Sequence, residues 1–554
     1  MRVHRAIAEE LVAQGVRRAF CLLGEDVAKP MVAARELGVE IVSFRHENQA
    51  VAAADAYART TGEVGVVALA GGPGFTNALT ALNTAHRYGS RVVLLVGGDQ
   101  GGAKHVPHPD VCRAMGMACL RPGGPEDVVR TLGEALDTAR NDRLVVLDVP
   151  LAHLEETLEW PAERHEPAVR EPVAPDPADV ARLADLLQES WAVQRPVVLA
   201  GWGAMRADAV GALRGLAERI GALTATTIRA HGAFVDEPFD LGICGTYATP
   251  EAVDLLRGAD CVLAFGASLN RFTTYDGQLF PKARVVQVDA DPEALGRDHE
   301  VDGDLSLVGD ARLVAEALTA ELDRRGVRTA GQRTDAVEAR LAAVDPRRDH
   351  DDRSGDGLVD PRTVALRLDE VLDPDRLVVI DGAHSSAFAV ANLRIASPRR
   401  FVQTSYVGGA GAIGLSLGAA IGAAVGNPGV PVVDWAGDAA HLMALADLDT
   451  AVRERLPLLV LVCNDEALGA EVKFLELTGQ PTDLARIPTP ALADVATALG
   501  AEGRTVRTLA DLEELVERLA SPLDGPLVVD CRVNPDVRAD WVDFLWASQA
   551  ALQA

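Results

Sequence analysis

FVQTSYVGGAGAIGLSLGAAIGAAVGNPGVPVV, residues 401–433, contains no charged side chain and runs directly into DWAGDAA, residues 434–440. An uncharged run this long raises the question of a membrane span. Its composition answers against one: Gly and Ala dominate, the Leu and Phe density of a spanning helix is missing, and Pro428 and Pro431 interrupt it. The stretch reads as a buried helix of small residues that feeds a buried strand.

That strand, residues 430–435, ends at Gly437-Asp438. A second apolar run, PLLVLVC at 457–463, ends at Asn464-Asp465. Residues 442–455 between them fit one crossover helix. A right-handed β-α-β unit lays the two strands side by side and parallel, so Asp438 and Asp465 emerge together at the carboxyl edge of the sheet. Two carboxylates there suit a hard cation. Mg²⁺ takes octahedral oxygen ligation and usually keeps phosphate oxygens and water in its shell, so the pair points to a metal-bound diphosphate. Gly437, Ala439 and Ala440 are small enough for main-chain N–H groups at a helix start to approach the phosphates. The plain alternative is that Gly-Asp and Asn-Asp are only strand-end turns.

GDAA at 437–440, the spacing from Asp438 to Asp465, and the flanking GAGAIGLSLGAAIGA resemble the cofactor motif of thiamine diphosphate enzymes of the acetolactate synthase, benzoylformate decarboxylase and pyruvate decarboxylase superfamily. The resemblance implies an α/β fold of three doubly wound parallel-sheet domains: a pyrimidine-binding domain over 1–160, a central domain over 179–323 and a diphosphate- and Mg-binding domain over 361–554. Asp438, Asp465 and the main-chain carbonyl of Ala467 would hold Mg²⁺. Ile413 would wedge between the two rings of the cofactor, and Gly411 would offer its carbonyl to the aminopyrimidine. His384 and Ser385, in DGAHSS at 381–386, would contact the diphosphate; the alternative is a simple helix N-cap. Leu468 and Gly469 complete the cofactor segment. Two departures stand out: the family usually carries Asn where Asp465 stands, and an aromatic where Leu468 stands.

Alternating strands and helices in the first 160 residues independently indicate a doubly wound sheet. Expected strands cover 18–23, 40–44, 64–70, 91–96 and 144–149. Glu47, in RHENQAVAAADAYARTTG, sits in the first turn of an alanine-rich helix, where a carboxylate ordinarily complements the dipole. By the resemblance it is the residue that faces the aminopyrimidine ring of the cofactor. A carboxyl group in a dry site holds its proton to a higher pH and so can donate it to a ring nitrogen. The turn LAGGPGFTN at 69–77, with Gly74, would line the substrate pocket. Benzoylformate decarboxylase-like enzymes carry a His near Ala70, so their proton relay is missing here. Glu25 matches a position that is acidic in pyruvate decarboxylase-like enzymes, and His105 and His108 lie in the segment GGDQGGAKHVPHPD at 97–110. These three are further catalytic candidates, each with a solvated loop residue as its alternative.

Residues 161–178 and 323–360 are rich in proline or charge without periodicity and read as linkers. The central segment between them shows Gly201-Trp202-Gly203, too little of a dinucleotide fingerprint to argue for FAD. Gly266 to Thr274, GASLNRFTT, looks more like the decarboxylase type than the FAD-binding type. FAD is therefore expected to be absent.

The chain has 554 residues, 48% hydrophobic and 24% charged, which is ordinary for a globular protein. A net charge of −28 repels polyanions over most of the surface, so nucleic acid is not an expected partner. Seven scattered cysteines without a CxxC read as reduced core residues of a cytoplasmic protein, and the N-terminus lacks the apolar segment of a signal peptide.

The resemblance implies decarboxylation of a 2-oxo acid on thiamine diphosphate with Mg²⁺, followed by carboligation of the acyl-anion equivalent to a second carbonyl, as in an acetolactate synthase-like transferase. One alternative is a lyase that releases an aldehyde; another, of a different class, is a catalytically silent regulatory subunit. The partners implied are a small 2-oxo acid, a carbonyl acceptor and a second copy of the chain, in a homodimer or a dimer of dimers with each cofactor between two subunits.

Overall fold

The structure, a computed structural model, describes residues 1–98, 105–141, 143–167, 171–188, 194–296, 304–327, 331–344, 350–405 and 411–539. Parts of the uncharged run, of the 97–110 segment and of both linkers lie outside these residues. Among the described residues, eighteen strands form three six-stranded parallel sheets. The first contains β1 (Arg18–Leu22), β2 (Glu40–Ser43), β3 (Gly65–Leu69), β4 (Val92–Gly98), β5 (Ala118–Leu120) and β6 (Leu144–Pro150), in the order β2-β1-β3-β4-β6-β5. The central sheet contains β7 (Pro196–Ala200), β8 (Leu223–Thr226), β9 (Asp240–Ile243), β10 (Cys261–Phe265), β11 (Arg284–Asp289) and β12 (Leu305–Val308), in the order β12-β11-β10-β7-β8-β9. The third contains β13 (Leu377–Ile380), β14 (Phe401–Gln403), β15 (Val432–Gly437), β16 (Leu458–Asn464), β17 (Glu502–Val506) and β18 (Leu527–Arg532), in the order β14-β13-β15-β16-β18-β17.

Each order reverses at one interior point, and the first and third also invert their last pair at the edge, β6-β5 and β18-β17. In an open α/β sheet the crevice at such a reversal, outside the carboxyl ends of the strands, is where ligands bind. The reversals lie between β1 and β3, between β7 and β10, and between β13 and β15. Chain segments leaving those strand ends are the ones to examine for chemistry: 23–26 and 70–74, 201–203 and 266–268, and 381–386 and 438–440.

The chain divides into two compact units, one holding the first and third sheets and the other the central sheet. Within the first unit, the uncharged run makes the helix Ser416–Gly426, buried as far as Val425 and packed against the alanine-rich helix Glu47–Thr61 in one continuous core. No helix among the described residues is long and apolar enough to cross a membrane. The segment 442–455, expected as one helix, is broken: Asp438–Ala444 and Leu448–Arg453 flank the 3₁₀ turn Leu445–Asp447. The buried carboxylate of Asp447 accepts the amides of Arg45 and His46 at 2.7 and 3.0 Å, which ties this break to the entrance of the Glu47 helix. Inside the charged segment 323–360 the helix Asp335–Ala342 forms, capped by Thr334. The seven cysteines are free thiols.

In the second unit the switch point is closed by its own backbone. Gly201 and Gly203 donate their amides to the carbonyls of Phe265 and Gly266 at 2.9 and 3.0 Å, and a Cβ on Gly201 would stand 2.1 Å from the Gly266 oxygen.

Candidate active site

At the switch point of the third sheet, β15 and β16 run in register with Gly437 opposite Cys463, so Asp438 and the Asn464-Asp465 pair leave the sheet side by side. Asp438 opens its helix at 3% exposure. Burial, and the negative charge of Asp465, push its carboxyl up to about 7. Burial raises Asp465 to about 6. Two buried acids, with the charge of Asp465 opposing ionisation of Asp438, form a donor set that a divalent cation would relieve. Among the described residues no group of three or more His, Cys, Asp and Glu is placed to hold a metal. Two carboxylates and the Ala467 carbonyl would leave the rest of the shell to phosphate and water, which is how Mg²⁺ is usually held.

A cavity of about 150 Å³ opens beside this pair. Its wall includes Gly382, His384, Ser385, Gly411, Ile413, Gly437, Asp438, Ala439, Ala440, Asp465, Ala467, Leu468 and Gly469. Every candidate read from the third domain therefore lies on one surface. A Cβ on Gly469 would stand 2.7 Å from Oδ2 of Asp465 and 3.6 Å from Nδ1 of His384, so the glycine leaves a gap between carboxylate and imidazole. Burial brings His384 down to about 4, so the ring is neutral at pH 7. Ser385 Oγ is 3.3 Å from where a Gly437 Cβ would be. Small residues, a buried acid pair and helix starts are the features a diphosphate with its cation needs, and the site fits that group.

Ile413 is carried by a turn that an unforeseen residue holds. Asp381, fully buried at the end of β13, accepts the amides of Gly414, Leu415 and Ser416 at 3.0–3.1 Å and that of Gly382 at 2.7 Å. Its carboxylate thus caps the Ser416–Gly426 helix and fixes the loop before it. The only hint in the sequence is its place directly after a buried strand.

The first sheet presents a second cluster. Glu47 is 9% exposed, and its Oε2 accepts from Nδ2 of Asn77 at 3.2 Å. Gly74 faces it closely enough that a Cβ there would stand 3.5 Å from Oε1. Glu47 and Gly74 are not among the residues that line the cavity of the third domain. Glu25 and His105 are exposed, whereas His108 is 1% exposed. The acid that does engage the switch point is Asp26: its Oδ2 accepts the Gly71 amide at 2.6 Å. Sequence reading passed over Asp26 and Asn77, because a first-turn acid and a helix-end amide look like ordinary caps. Ala70 is packed hard against Gly24, whose Cβ would stand 2.5 Å from that of Ala70.

Comparison with known proteins places three family models in order along the chain. Family models described as thiamine pyrophosphate enzyme, N-terminal TPP binding domain, central domain and C-terminal TPP binding domain match residues 1–112, 180–318 and 381–531. An acetolactate synthase of Mycobacterium bovis is 30% identical over 522 residues, covering 90% of this chain and 82% of that protein. A sulfoacetaldehyde acetyltransferase of Castellaniella defragrans is 27% identical, covering 92% and 89%. The crystal structure of benzoylformate decarboxylase from Polynucleobacter necessarius superposes with a TM-score of 0.81 at 21% identity, over 97% of this chain and 99% of that one, and shows the shared fold. With three matching domain models in order along the sequence and a relative at 30% identity over nearly its whole length, the chain belongs to the thiamine pyrophosphate enzyme family.

Proposed function

We propose that this chain binds thiamine diphosphate through Mg²⁺ and joins the acyl fragment of a decarboxylated 2-oxo acid to a second carbonyl compound. One observation carries the reading: motif residues from three separate segments, 382–385, 411–413 and 437–469, meet on one cavity wall around a buried acid pair.

In this reading Asp438, Asp465 and the Ala467 carbonyl hold the cation, while His384, Ser385 and the amides of 437–440 receive the diphosphate. Bound there, thiamine diphosphate supplies the electron sink for the pair left when a 2-oxo acid loses carbon dioxide. Ile413 would stand against the cofactor's rings, with Asp381 fixing its turn. Glu47, oriented by Asn77, would face the aminopyrimidine. The cavity encloses one end of such a ligand, and the first domain of a second copy provides the other wall.

Carboligation is favoured over aldehyde release by two supports. The names of both relatives, acetolactate synthase and sulfoacetaldehyde acetyltransferase, describe products or transfers of an acyl unit. On this chain, Ala70, Gly71 and Gly72 carry no acid or base of their own after β3, and the Asp26 and His108 side chains there are engaged by the turn's amides. Aldehyde release has one observation in its favour, the exposed carboxylate Glu471 on the cavity wall, a candidate proton donor. The central switch point, closed by the Gly201 and Gly203 amides, offers an FAD pyrophosphate few free donors, and FAD is no part of the proposal; flavin absorbance in purified protein would overturn that. The deciding experiment is product analysis with a panel of 2-oxo acids, with and without added aldehydes or a second oxo acid. Ligated products are expected once an acceptor is present. Free aldehyde as the main product under every acceptor condition rejects carboligation.

A further inference from the structure

His108 opens the helix His108–Ala114 with its ring buried in the first domain. Nε2 accepts the amide of Gly72 at 3.2 Å, so in this arrangement the ring proton sits on Nδ1, an assignment made from the hydrogen-bond network. Nδ1 faces Oδ1 of the fully buried Asp148 at 3.5 Å, and Asp148 is itself held by Nη1 of Arg121 at 3.0 Å through Oδ2. Phe75 lies against the ring with centroids 4.5 Å apart. Both ring nitrogens are thus engaged by the protein, and the ring is covered.

Gly72 has φ 63 and ψ −115, a conformation that residues with a Cβ rarely adopt. This turn launches the short helix Pro73–Asn77, from which Gly74 and Asn77 meet the two oxygens of Glu47. One residue upstream, the Gly71 amide ends on Asp26. Two consecutive amides of the turn therefore terminate on side chains from different helices, and the turn's position decides where the Glu47 carboxylate points.

We infer that His108 is a positioning residue for Glu47: with Asp148 behind it, its imidazole clamps the Gly72 turn and so aims the carboxyl group, and it exchanges no proton with substrate. The inference rests on the proposed role of Glu47 for its effect on turnover, though the clamp itself does not. Loss of the acceptor leaves a buried amide without a partner and frees the turn.

The test compares His108→Leu, which removes the acceptor, with His108→Gln, whose side-chain carbonyl can replace it. Hydrogen–deuterium exchange across residues 71–77 is followed in the ligand-free protein, alongside calorimetric binding of thiamine diphosphate with Mg²⁺ and turnover of the best 2-oxo acid. In His108→Leu, exchange at 71–77 should accelerate at least tenfold, and kcat should fall about tenfold or more with KM little changed, as misalignment of a catalytic group predicts. His108→Gln should recover most of both losses. Wild-type exchange in His108→Leu overturns the clamp. Turnover lost equally in both variants, with exchange restored in His108→Gln, overturns the positioning role and makes the imidazole an acid–base group. Should the Leu variant fail to fold, Asp148→Asn, which loosens the ring's support, is expected to give the same exchange signature at smaller amplitude, and its absence overturns the clamp. Absence of thiamine diphosphate binding in wild type would defeat the functional proposal while the exchange data still decide the clamp.

Discussion

Gln49 grips Gly418 across the contact between the first and third domains: Oε1 of Gln49 accepts the Gly418 amide at 3.0 Å, while its Nε2 donates to the Gly414 carbonyl at 2.6 Å. Gly418, Gly422 and Gly426 stand one turn apart on the same helix face. Cβ atoms added there would lie 2.5 Å from Gln49 Oε1, 2.0 Å from the Ala53 carbonyl and 2.8 Å from Thr61 Cγ2. The uncharged Gly and Ala run is thus a close-approach seam between two helices of a folded core.

Gly422 is the tightest point of that seam, and its obstacle is backbone, which cannot swing aside. Gly422→Val is expected to destabilise the protein by about 1–3 kcal/mol or more, the usual range for overpacking, with Gly422→Ala intermediate. Thermal or urea denaturation reads this directly. A Val variant that melts with wild type would refute the account of the seam.

This seam also marks how far sequence reasoning reaches. The continuous apolar runs and the small-residue pattern around 401–469 led to the strand-helix-strand unit and to Asp438 and Asp465, because burial leaves a compositional trace. Edge strands such as β5 and β17 leave none, being short and partly exposed, and went unforeseen. The broken crossover helix depends on Asp447 reaching Arg45 and His46, four hundred residues away in sequence. Asp26, Asn77 and Asp381 act by accepting or donating to particular atoms of distant turns, a relation that only the folded chain specifies. His108 could be singled out by residue type, but whether its nitrogens face substrate or backbone is decided by packing.

Mg²⁺ with thiamine diphosphate should stabilise the wild-type protein, by about 2.7 kcal/mol at 100 times the dissociation constant. Asp438→Ala is expected to lose that gain. Because burial and the charge of Asp465 both oppose ionisation of Asp438, removing that carboxyl relieves an unfavourable group, so the ligand-free variant should melt no lower than wild type. Differential scanning fluorimetry with and without the ligands checks both halves. Equal ligand-induced shifts in wild type and variant would reject the metal assignment.

Asp434, fully buried on β15, gives a pH signature separable from the metal site. Burial pushes its carboxyl up to about 7, with the Ser416 side chain opposing the rise and Asp381 adding to it. In the unfolded chain the group titrates near 4. Its folded value is the higher one, so the folded state binds the proton more tightly, and the contribution to stability is present below about pH 4 and lost as pH rises towards 7. Asp434→Asn should therefore gain on wild type as pH climbs from 4 to 7, with a plateau above, reaching several degrees in Tm. Comparing variant with wild type at each pH cancels the other titrating groups. A difference that stays flat across this window would show that Asp434 is not protonated in the folded protein.

The shared site is the last expectation, and the geometry of the Glu47 helix frames it. Gln49 points at the third domain of its own chain. Residues two apart on a helix face directions roughly 200° apart, so Glu47 turns away from that contact, towards Gly74 and Asn77. All residues lining the third-domain cavity come from residues 361–537, and Glu47 is not among them. A cofactor reaching from Asp438 to a Glu47 carboxylate is thus better served by the first domain of a second copy. A twofold dimer would hold two such sites, each drawing Glu47 from one subunit and Asp438 from the other. Glu47→Gln and Asp438→Ala chains, each inactive alone, would then combine in a mixed dimer with one site doubly impaired and one intact. Random pairing makes about half of the dimers mixed, so the unsorted mixture should regain roughly a quarter of wild-type activity and the purified heterodimer roughly half. The measurement is turnover of affinity-purified heterodimers carrying two different tags, against each parent. Heterodimers confirmed by both tags yet as inactive as the parents would place Glu47 and Asp438 in the same chain's site.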